Sequence, residues 1–312
     1  MMILTAGAIR EVEREERRAL GAFRLVDHAT GLSAVTVGDI EAVRAEIIDI
    51  SAPGAPVVVS QVPLGSGAVD TRQNRRGWFV LFRAPLFDAY TRAFDQPLHP
   101  AELQPAQRLR LRLALTNAGP NHLPRLFDIV LPRSLDPDTA ANVFVPHDVE
   151  LLRAPGASVF DGWAVLRVSA RQEGTQRALP GVLIRVFRRP RLSASEPIGV
   201  GMTEWRNTRT QGEAVVPIPG LPRFAPGSGA NVFETTHAIE LEATRDQDFP
   251  NAGNVTPDHE ELPDIDALNA GVGGNIIRRA AAPANPALAI VRPTTPLAMA
   301  AGEELPVVLE MP

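Results

Sequence analysis

The side chains that most often perform acid–base chemistry or bind metals are few and scattered in this sequence. No two histidines are spaced as His-x-His or His-x3-His, which would place two ligands side by side. His259 is followed by two glutamates but lacks the second His of the zinc-protease motif. The six histidines are His28, His99, His122, His147, His237 and His259. We therefore expect no metal site built on histidine.

Acidic residues cluster around His259. A calcium loop would alternate acidic residues and end in Gly, whereas this run lacks that spacing and is interrupted by Pro263. A solvated acidic surface is the preferred interpretation, and a calcium site is the alternative. The acidic residues of the run are Asp258, Glu260, Glu261, Asp264 and Asp266.

Nucleophiles and cofactor motifs are also missing. The chain has no Cys, and all 31 of its basic residues are Arg. This excludes thiolate chemistry, Cys-bound zinc, a Schiff-base Lys and the Lys of a P-loop. No Gly-x-Ser-x-Gly motif is present, and the Gly-rich residues 271–275 follow no predicted strand, so we interpret them as a connector. We expect a protein that is not an enzyme and that binds no cofactor or metal.

Net charge and the distribution of apolar residues indicate which kinds of partner and which location to expect. The net charge is −5, which does not indicate the basic face of a nucleic-acid binder. No run of about 18 apolar residues predicts a membrane span. The N-terminus has no basic region before an apolar one and is densely charged from Glu11, so we expect no signal peptide. We expect the protein in the bacterial cytoplasm during assembly, or within a released or envelope-associated particle.

Alternation of apolar and polar residues predicts an all-β protein. The clearest case is residues 107–117, where a leucine at every second position is expected inside and the arginines between them towards water. Similar patterns recur every ~8–12 residues, a spacing typical of β-sandwiches. Residues 41–51 fit either a strand or a short helix. The alternating residues are Leu109, Leu111, Leu113 and Leu115 against Arg108, Arg110 and Arg112.

The chain divides into four predicted segments. Residues 1–20 form a short N-terminal helix or a solvated arm, because residues 7–20 have opposite charges at helical spacing but a thin apolar stripe. Residues 21–154 and 155–250 are predicted to be two tandem β-sandwiches. Residues 251–312 are rich in Pro, Ala and Gly and are predicted to form an extended tail that could return a last strand. Disorder of this tail is the alternative.

One stretch of the second predicted sandwich carries a family pattern. It contains Pro180-Gly181 before a strand, the dipeptide Thr203-Glu204, a glycine turn at Gly212 and a short strand from Ala214 to Ile218. Residues 160–245 thereby resemble the transthyretin-like or carboxypeptidase-regulatory-like β-sandwiches. Glu204 stands where that family usually has Asp, and residues 206–210 are an unusual insert.

Local chemistry explains part of the same pattern. Gly212 is expected to take a positive φ in a tight turn. Pro217 and Pro219 are expected at an edge strand or a strand end, because proline cannot donate to a ladder. Two enzyme families with similar sandwiches do not match. Intradiol dioxygenases need two Tyr and two His on iron, and Tyr90 is the single Tyr here; hydroxyisourate hydrolases end in Tyr-Arg-Gly-Ser, which is absent.

The first predicted sandwich repeats part of this pattern. "DTRQNRRGWFVLF" parallels "NTRTQGEAVVPI", which suggests two related sandwiches; chance similarity is the alternative. An Arg-rich, Cys-free pair of such domains resembles accessory proteins encoded with phage-tail-like contractile injection systems.

The sequence therefore favours a non-catalytic structural or adaptor protein that docks onto other protein subunits of a larger assembly, with such a particle as the expected assembly. β-Edge pairing and extended segments would form the contacts. The alternative is a carbohydrate- or surface-binding module that uses Trp205 and the Arg209 loop, unless Trp205 is a loop anchor packed onto the sandwich. A hydrolase with an unrecognised site is a third option. The predicted interface residues are Trp205, Arg206, Arg209, Leu305, Val307 and Leu309.

Overall fold

The structure is a computed structural model of the 312-residue chain. It describes residues 19–34, 39–51, 57–64, 69–83, 107–131, 145–191, 196–222, 225–226, 233–234, 236–247, 249, 262–270 and 288–312. The predicted N-terminal helix lies almost wholly outside these residues.

Eight strands build the first half of the described chain, and they form two four-stranded sheets. Sheet A has the order β4-β5-β1-β8 and sheet B the order β3-β2-β6-β7. All pairings are antiparallel except that of β1 with β8. The strands are β1 (Gly21–Asp27), β2 (Ile40–Asp49), β3 (Val57–Pro63), β4 (Asp70–Gln73), β5 (Trp78–Arg83), β6 (Gln107–Leu115), β7 (Arg125–Val130) and β8 (His147–Leu151).

The two sheets pack face to face around one apolar core. The predicted leucine alternation on β6 is confirmed, since all four leucines are fully buried in this core. From sheet A, Phe23 stacks on Phe79 with ring centroids 5.0 Å apart and lies 5.5 Å from the ring of Phe127 on sheet B. Alternation places side chains of β1, β2, β5, β6, β7 and β8 between the sheets, which makes this half a β-sandwich.

The second half of the described chain forms another sandwich. Sheet C has the order β12-β9-β18, and sheet D has the order β11-β10-β15 with both β16 and β17 on the outer side of β15. The pair β13 and β14 stands apart from them. The strands are β9 (Ala164–Gln172), β10 (Leu183–Arg188), β11 (Gly199–Met202), β12 (Glu213–Ile218), β13 (Ala225–Pro226), β14 (Phe233–Glu234), β15 (Thr236–Asp246), β16 (Leu288–Val291), β17 (Leu297–Ala300) and β18 (Glu304–Met311).

The described strands of the two sandwiches share one connectivity. In each, the first strand pairs in parallel with the last and antiparallel with a strand that follows a positive-φ glycine, Gly77 before β5 and Gly212 before β12. In the opposite sheets, the order β3-β2-β6-β7 matches β11-β10-β15-β16. The similarity between "DTRQNRRGWFVLF" and "NTRTQGEAVVPI" therefore falls on equivalent strands.

The C-terminal residues are part of the second sandwich. β16, β17 and β18 come from residues 288–312, and β18 pairs in parallel with β9 over eight residue pairs, from Glu304 with Val165 to Met311 with Gln172. The last strand that the sequence allowed this segment to return is therefore present as β18, and β16 and β17 are further strands of the same segment. The physical reason is the alternation Leu305, Val307, Leu309, whose apolar side the second core covers.

A third apolar cluster joins the sandwiches. Ala114 on β6 and Leu152 after β8 meet Leu183 on β10 and Met202 on β11 in this cluster. A short helix, α1 (Ile265–Ala270), adds Ile265 and Leu268 to it.

This cluster corrects one prediction. Arg112 was expected to face water, but it is 5% exposed because the far side of β6 is covered near α1. It pairs with Asp264 at 2.5 Å and with Asp128 at 3.3 Å, so its charge is compensated.

Candidate functional site

An uncovered edge strand is the most unusual surface in the described chain. β3 lies at the edge of sheet B, and its Val57, Val58 and Val59 are 59%, 42% and 54% exposed. Because successive side chains point to opposite faces, neither face of β3 is covered. Its seven residues, VVVSQVP, include no charge. Exposed, uncharged edges of this kind are sites where further strands can pair.

The equivalent strand of the second sandwich is covered. β11 is buried at all four positions. A Cβ atom added at Gly199 would lie 2.7 Å from the Pro217 carbonyl oxygen, and one at Gly201 would lie 2.7 Å from that of Val215. The two glycines therefore let β11 approach β12 closely, a contact that β3 lacks.

The other described edges are short, as β16 and β17 are with four residues each, or carry features that oppose pairing. β18 has Pro306 at its centre and exposed Glu304 and Glu310 on one face. β12 contains Pro217. Proline and charge are the usual means by which edges resist pairing. β3 carries no charge and has proline only at its last residue, Pro63, although a bulge that leaves Val59 unpaired with β2 interrupts its ladder.

The sequence of β3 is typical of a strand but does not show whether that strand is a docking edge. The available signal was three consecutive valines in a run with no charge and no proline before its last residue. Strand order, which decides whether such a run is central or at an edge, comes only from tertiary structure.

The structure contradicts Trp205 as a contact residue. Its side chain is fully buried in the cluster between the sandwiches, where its ring meets Phe249 edge to face. The alternative interpretation, a loop anchor, is the one observed. A glycan therefore has no access to the Trp205 ring.

Glu204 fixes the loop that begins at Trp205. Its carboxylate accepts backbone N–H bonds from Trp205 at 3.0 Å and from Arg206 at 2.8 Å, and its residue is 3% exposed. The Arg206 side chain folds back on the same carboxylate, with Nε 3.3 Å away. The Thr203 hydroxyl donates to the Leu179 carbonyl. These residues of the family-like pattern therefore act as local structure.

Arg206 and Arg209, the predicted contact residues of the insert, lie in different surroundings. Arg206 lines a groove of about 550 Å³ between the sandwiches, whereas Arg209 is exposed and is not among its lining residues. The groove is lined by Gly119, Pro120, Ala154, Pro155, Gly156, Glu204, Arg206, Asn207, Thr208 and Thr210. Glu204 offsets the charge of Arg206, and the groove combines apolar groups of Pro120, Ala154 and Pro155 with amide and hydroxyl groups of Asn207, Thr208 and Thr210.

The predicted contact residues of the C-terminal strand face the core. Leu309 is 3% exposed, and Leu305 and Val307 pack against the second core. Leu309 therefore offers no side-chain surface to a partner, whereas Leu305 and Val307 are half-buried and their role as contacts stays a prediction. The outward neighbour Val308 is 61% exposed.

Other aromatics differ from expectation as well. Trp78 and Trp163 lie in strand-like sequence, which is typical of core residues, but both are only half-buried. The guanidinium of Arg153 lies 5.6 Å from the Trp163 ring centre and 5.3 Å from that of Phe160, so it already contacts the exposed aromatic pair.

One histidine has a buried charged partner. His122 Nε2 lies 2.9 Å from Asp27 Oδ2, and Arg153 Nε lies 3.0 Å from the same oxygen. Burial alone would raise the pKa of Asp27, but the hydrogen bond with His122 and the charge of Arg153 outweigh it and hold that pKa far below its usual range. This cluster ties the end of β1 to the segments after β6 and β8, a structural role.

Metal-ligating groups do not converge in the described part of the chain, where no three His, Cys, Asp or Glu side chains group together. Asp264 from the acidic run pairs with Arg112 and caps α1 by accepting from the Ala267 N–H at 2.9 Å. It is 5% exposed, so a solvated surface is wrong for this residue, while Asp266 of the same run has a 68% exposed side chain and pairs with Arg125. Asp258, Glu260 and Glu261 lie outside the described residues. α1, the helix that the structure describes, is too short to span a membrane, and no other candidate span is found there.

Comparisons with known proteins give only distant likenesses. No protein-family model matches the chain, and no curated protein matches it. Among solved structures, the chain is similar to the Bacillus anthracis TIE protein at 8% identity and a TM-score of 0.20; the match covers 94% of this chain but only 34% of that one.

Two pilins match with similarly low sequence identities and TM-scores. The shaft pilin SpaA from Lactobacillus rhamnosus GG matches at 9% identity and a TM-score of 0.17, over 94% of this chain and 97% of that one. GBS52, the minor pilin of Streptococcus agalactiae, matches at 7% identity and a TM-score of 0.18, over 93% and 95% of the two chains. The all-β sandwich architecture stands on the sheets described above, and these distant matches carry no function over to this chain.

Proposed function

We propose that this protein is a non-catalytic structural subunit that joins a larger protein assembly by pairing β3 with β3 of a second copy. The observation that carries this proposal is the exposure of both faces of an uncharged, valine-rich edge strand. Its counterpart β11 is buried within the same connectivity. A further strand could therefore pair with the free edge of β3.

The chemistry of β3 favours a second copy as the partner. Like charges facing each other across a strand pair are destabilising, and a strand without charge avoids this when it pairs with itself. Burying one Val side chain fully is worth roughly 1.5 kcal/mol, and three exposed valines on each strand would contribute together. Two copies related by a two-fold axis would join their B sheets into one.

The bulge at Val59 limits the geometry of this pairing. An extra residue bends the strand and breaks a continuous ladder. We expect regular main-chain pairing over Ser60–Val62 and side-chain packing by Val57 and Val58 beyond it.

A phage-tail-like contractile injection particle is the assembly that we propose on the family resemblance of the sequence. The fold supports assembly with other subunits through the uncovered edge strand β3. The carbohydrate-binding alternative loses its expected stacking ring, because Trp205 is buried.

Sedimentation velocity of the full chain over a wide concentration range tests the proposal. We expect a monomer–dimer equilibrium for the natural chain and a shift to monomer in Val59→Lys, because the new charge would have to lose water where the two uncharged strands meet. Val308→Lys is the matched control, since Val308 is a similarly exposed valine on the edge strand β18.

Two outcomes would overturn the proposal. One is a natural chain that stays monomeric up to about 100 μM, where even weak dimers with a Kd near 10 μM are mostly formed. The other is equal loss of the dimer in Val59→Lys and Val308→Lys.

A further inference from the structure

Three arginines converge on one buried carboxylate on the outer face of sheet D. The carboxylate belongs to Glu242 on β15, whose residue is 1% exposed. Arg185 lies opposite it on β10, Arg191 follows β10, and Arg292 follows β16. Three separate segments therefore bring positive charge to the same place.

The contacts use both oxygens of the carboxylate. Arg185 donates through Nη2 to Oε1. Arg191 donates through Nη1 to Oε2 at 2.8 Å, and Arg292 donates through Nε to Oε2 at 2.5 Å. Burial alone would raise the pKa of Glu242, but the hydrogen bonds from Arg191 and Arg292 outweigh it and lower that pKa, so the carboxylate is charged at neutral pH.

Two of the guanidiniums are held by further contacts. Arg185 Nη1 donates to the Asn269 carbonyl at 2.8 Å and to its side-chain oxygen at 3.1 Å. The guanidinium of Arg191 lies 3.6 Å from the centre of the Phe187 ring, a stacking arrangement. Their positions are therefore fixed before any ligand arrives, which reduces the entropy lost on binding.

The charges do not balance. Within the described part of the chain, three guanidiniums face one carboxylate, an excess of two positive charges there on a protein whose net charge is −5. The neighbouring Glu240 on the same strand pairs with Arg189 at 3.3 Å, so it does not remove the excess.

Donors remain for a ligand. The Arg292 side chain is 63% exposed, and its Nη atoms have no hydrogen-bond partner among the described residues. Arg191 contacts Glu242 through Nη1 alone, and its side chain is 28% exposed. Planar guanidinium groups bind the oxygens of phosphate or sulfate through paired N–H donors.

We propose that Arg191 and Arg292, supported by Arg185, form a binding site for a tetrahedral oxyanion, phosphate or sulfate. The anion would sit beside Glu242 and compensate the charge excess, with the free N–H groups of Arg191 and Arg292 as donors. This site is independent of the pairing through β3. A purely structural role, in which the arginines only clamp β10, β15 and β16 together, is the competing explanation.

Isothermal titration calorimetry with phosphate and, separately, sulfate tests the proposal, with sodium chloride at matched ionic strength as the background. We expect saturable binding of at least one of the two anions, and about tenfold weaker binding in Arg292→Ala, equivalent to the loss of about 1.4 kcal/mol. Arg72→Ala is the matched control, because the Arg72 side chain is 59% exposed and lies 3.7 Å from a single carboxylate, Asp70. Arg72→Ala should bind like the natural chain.

Glu242→Gln separates the two explanations. The substitution removes the competing negative charge, so an anion site should bind phosphate or sulfate more tightly, and the anion should raise the melting temperature more than in the natural chain. A clamp without a site should lose stability with no recovery on adding either anion. Absence of saturable binding to the natural chain, or equal weakening by Arg292→Ala and Arg72→Ala, would overturn the proposal.

Discussion

Trp205 and Phe249 pack edge to face, with ring centroids 6.3 Å apart and an interplanar angle of 82°. Trp205 directly precedes the insert of the second sandwich, and both rings lie in the cluster that also holds Ala114 and Leu152 of the first half. The packing of these two rings therefore helps to hold the two sandwiches together.

Replacing the Trp205 ring should destabilise the protein strongly. Trp205→Ala removes the largest fully buried side chain, and truncations of this kind cost roughly 3–5 kcal/mol. Urea unfolding followed by circular dichroism measures the loss. Trp163→Ala, at a half-buried ring, is the control and should cost clearly less. Equal losses would show that the ring does not fasten the sandwiches.

The sequence was sufficient to predict the fold class but not the neighbours of each strand. Alternation predicted β6 correctly, because four leucines on one face of a strand must be buried regardless of which strands pack against them. Arg112 was misassigned because the side that should be solvated is covered by the cluster between the sandwiches, a contact that local pattern does not encode.

A pair of glycine substitutions tests the turn before β12. Gly212 and Gly220 both have a positive φ, +78° and +74°. A Cβ at Gly212 would also lie 2.9 Å from the Ala178 Cβ, whereas one at Gly220 would meet nothing within 4 Å. We expect Gly220→Ala to cost about 1 kcal/mol from backbone strain and Gly212→Ala clearly more, because crowding adds to that strain.

Thermal unfolding of the two variants measures the difference. Equal melting temperatures would mean that the turn relaxes and that the close contact is not maintained.

Adjacent positions on β18 test whether the C-terminal strand belongs to the second core. Leu309→Ala opens a space in that core and should cost roughly 2–5 kcal/mol. Val308→Ala, next to it but 61% exposed, should change the free energy of unfolding by less than about 0.5 kcal/mol. Urea titrations give the free energy of unfolding of both variants. A large loss for Val308→Ala with none for Leu309→Ala would show that Val308, and not Leu309, faces the core.

Asp27 should make stability dependent on acid pH. Its pKa is lower in the folded chain than the value of about 3.9 expected when unfolded, so the folded state binds fewer protons there. The stabilisation is present above about pH 4 and is lost as the pH falls towards the folded-state pKa. We expect Asp27→Asn to be less stable than the natural chain at pH 7 and to lose less stability on acidification.

Free energies of unfolding at pH 7 and pH 3 measure this effect. Asp161→Asn, at an exposed aspartate, is the control and should follow the natural chain. If Asp27→Asn lost as much stability as the natural chain between these pH values, the ion pair with Arg153 and the bond to His122 would not be the cause.

Candidate surfaces were harder to predict than the fold, and for physical reasons. The polar sequence around Trp205 suggested exposure, but Glu204 satisfies the backbone N–H groups of the loop and lets the ring turn inward. Arg185, Arg191 and Arg292 lie 57, 51 and 50 positions from Glu242 in the sequence, so only the folded sheet shows that they meet.

Pairing through β3 is tested most directly by the distance between two copies of that strand. Because the chain has no Cys, Gln61→Cys introduces a single thiol that takes one spin label. Neighbouring strands lie about 4.8 Å apart, so electron–electron dipolar spectroscopy of a β3-paired dimer should give one narrow distance below about 25 Å. The same label in a chain that also carries Val59→Lys should lose that distance. A dimer whose labels on β3 show no short distance would contradict the pairing.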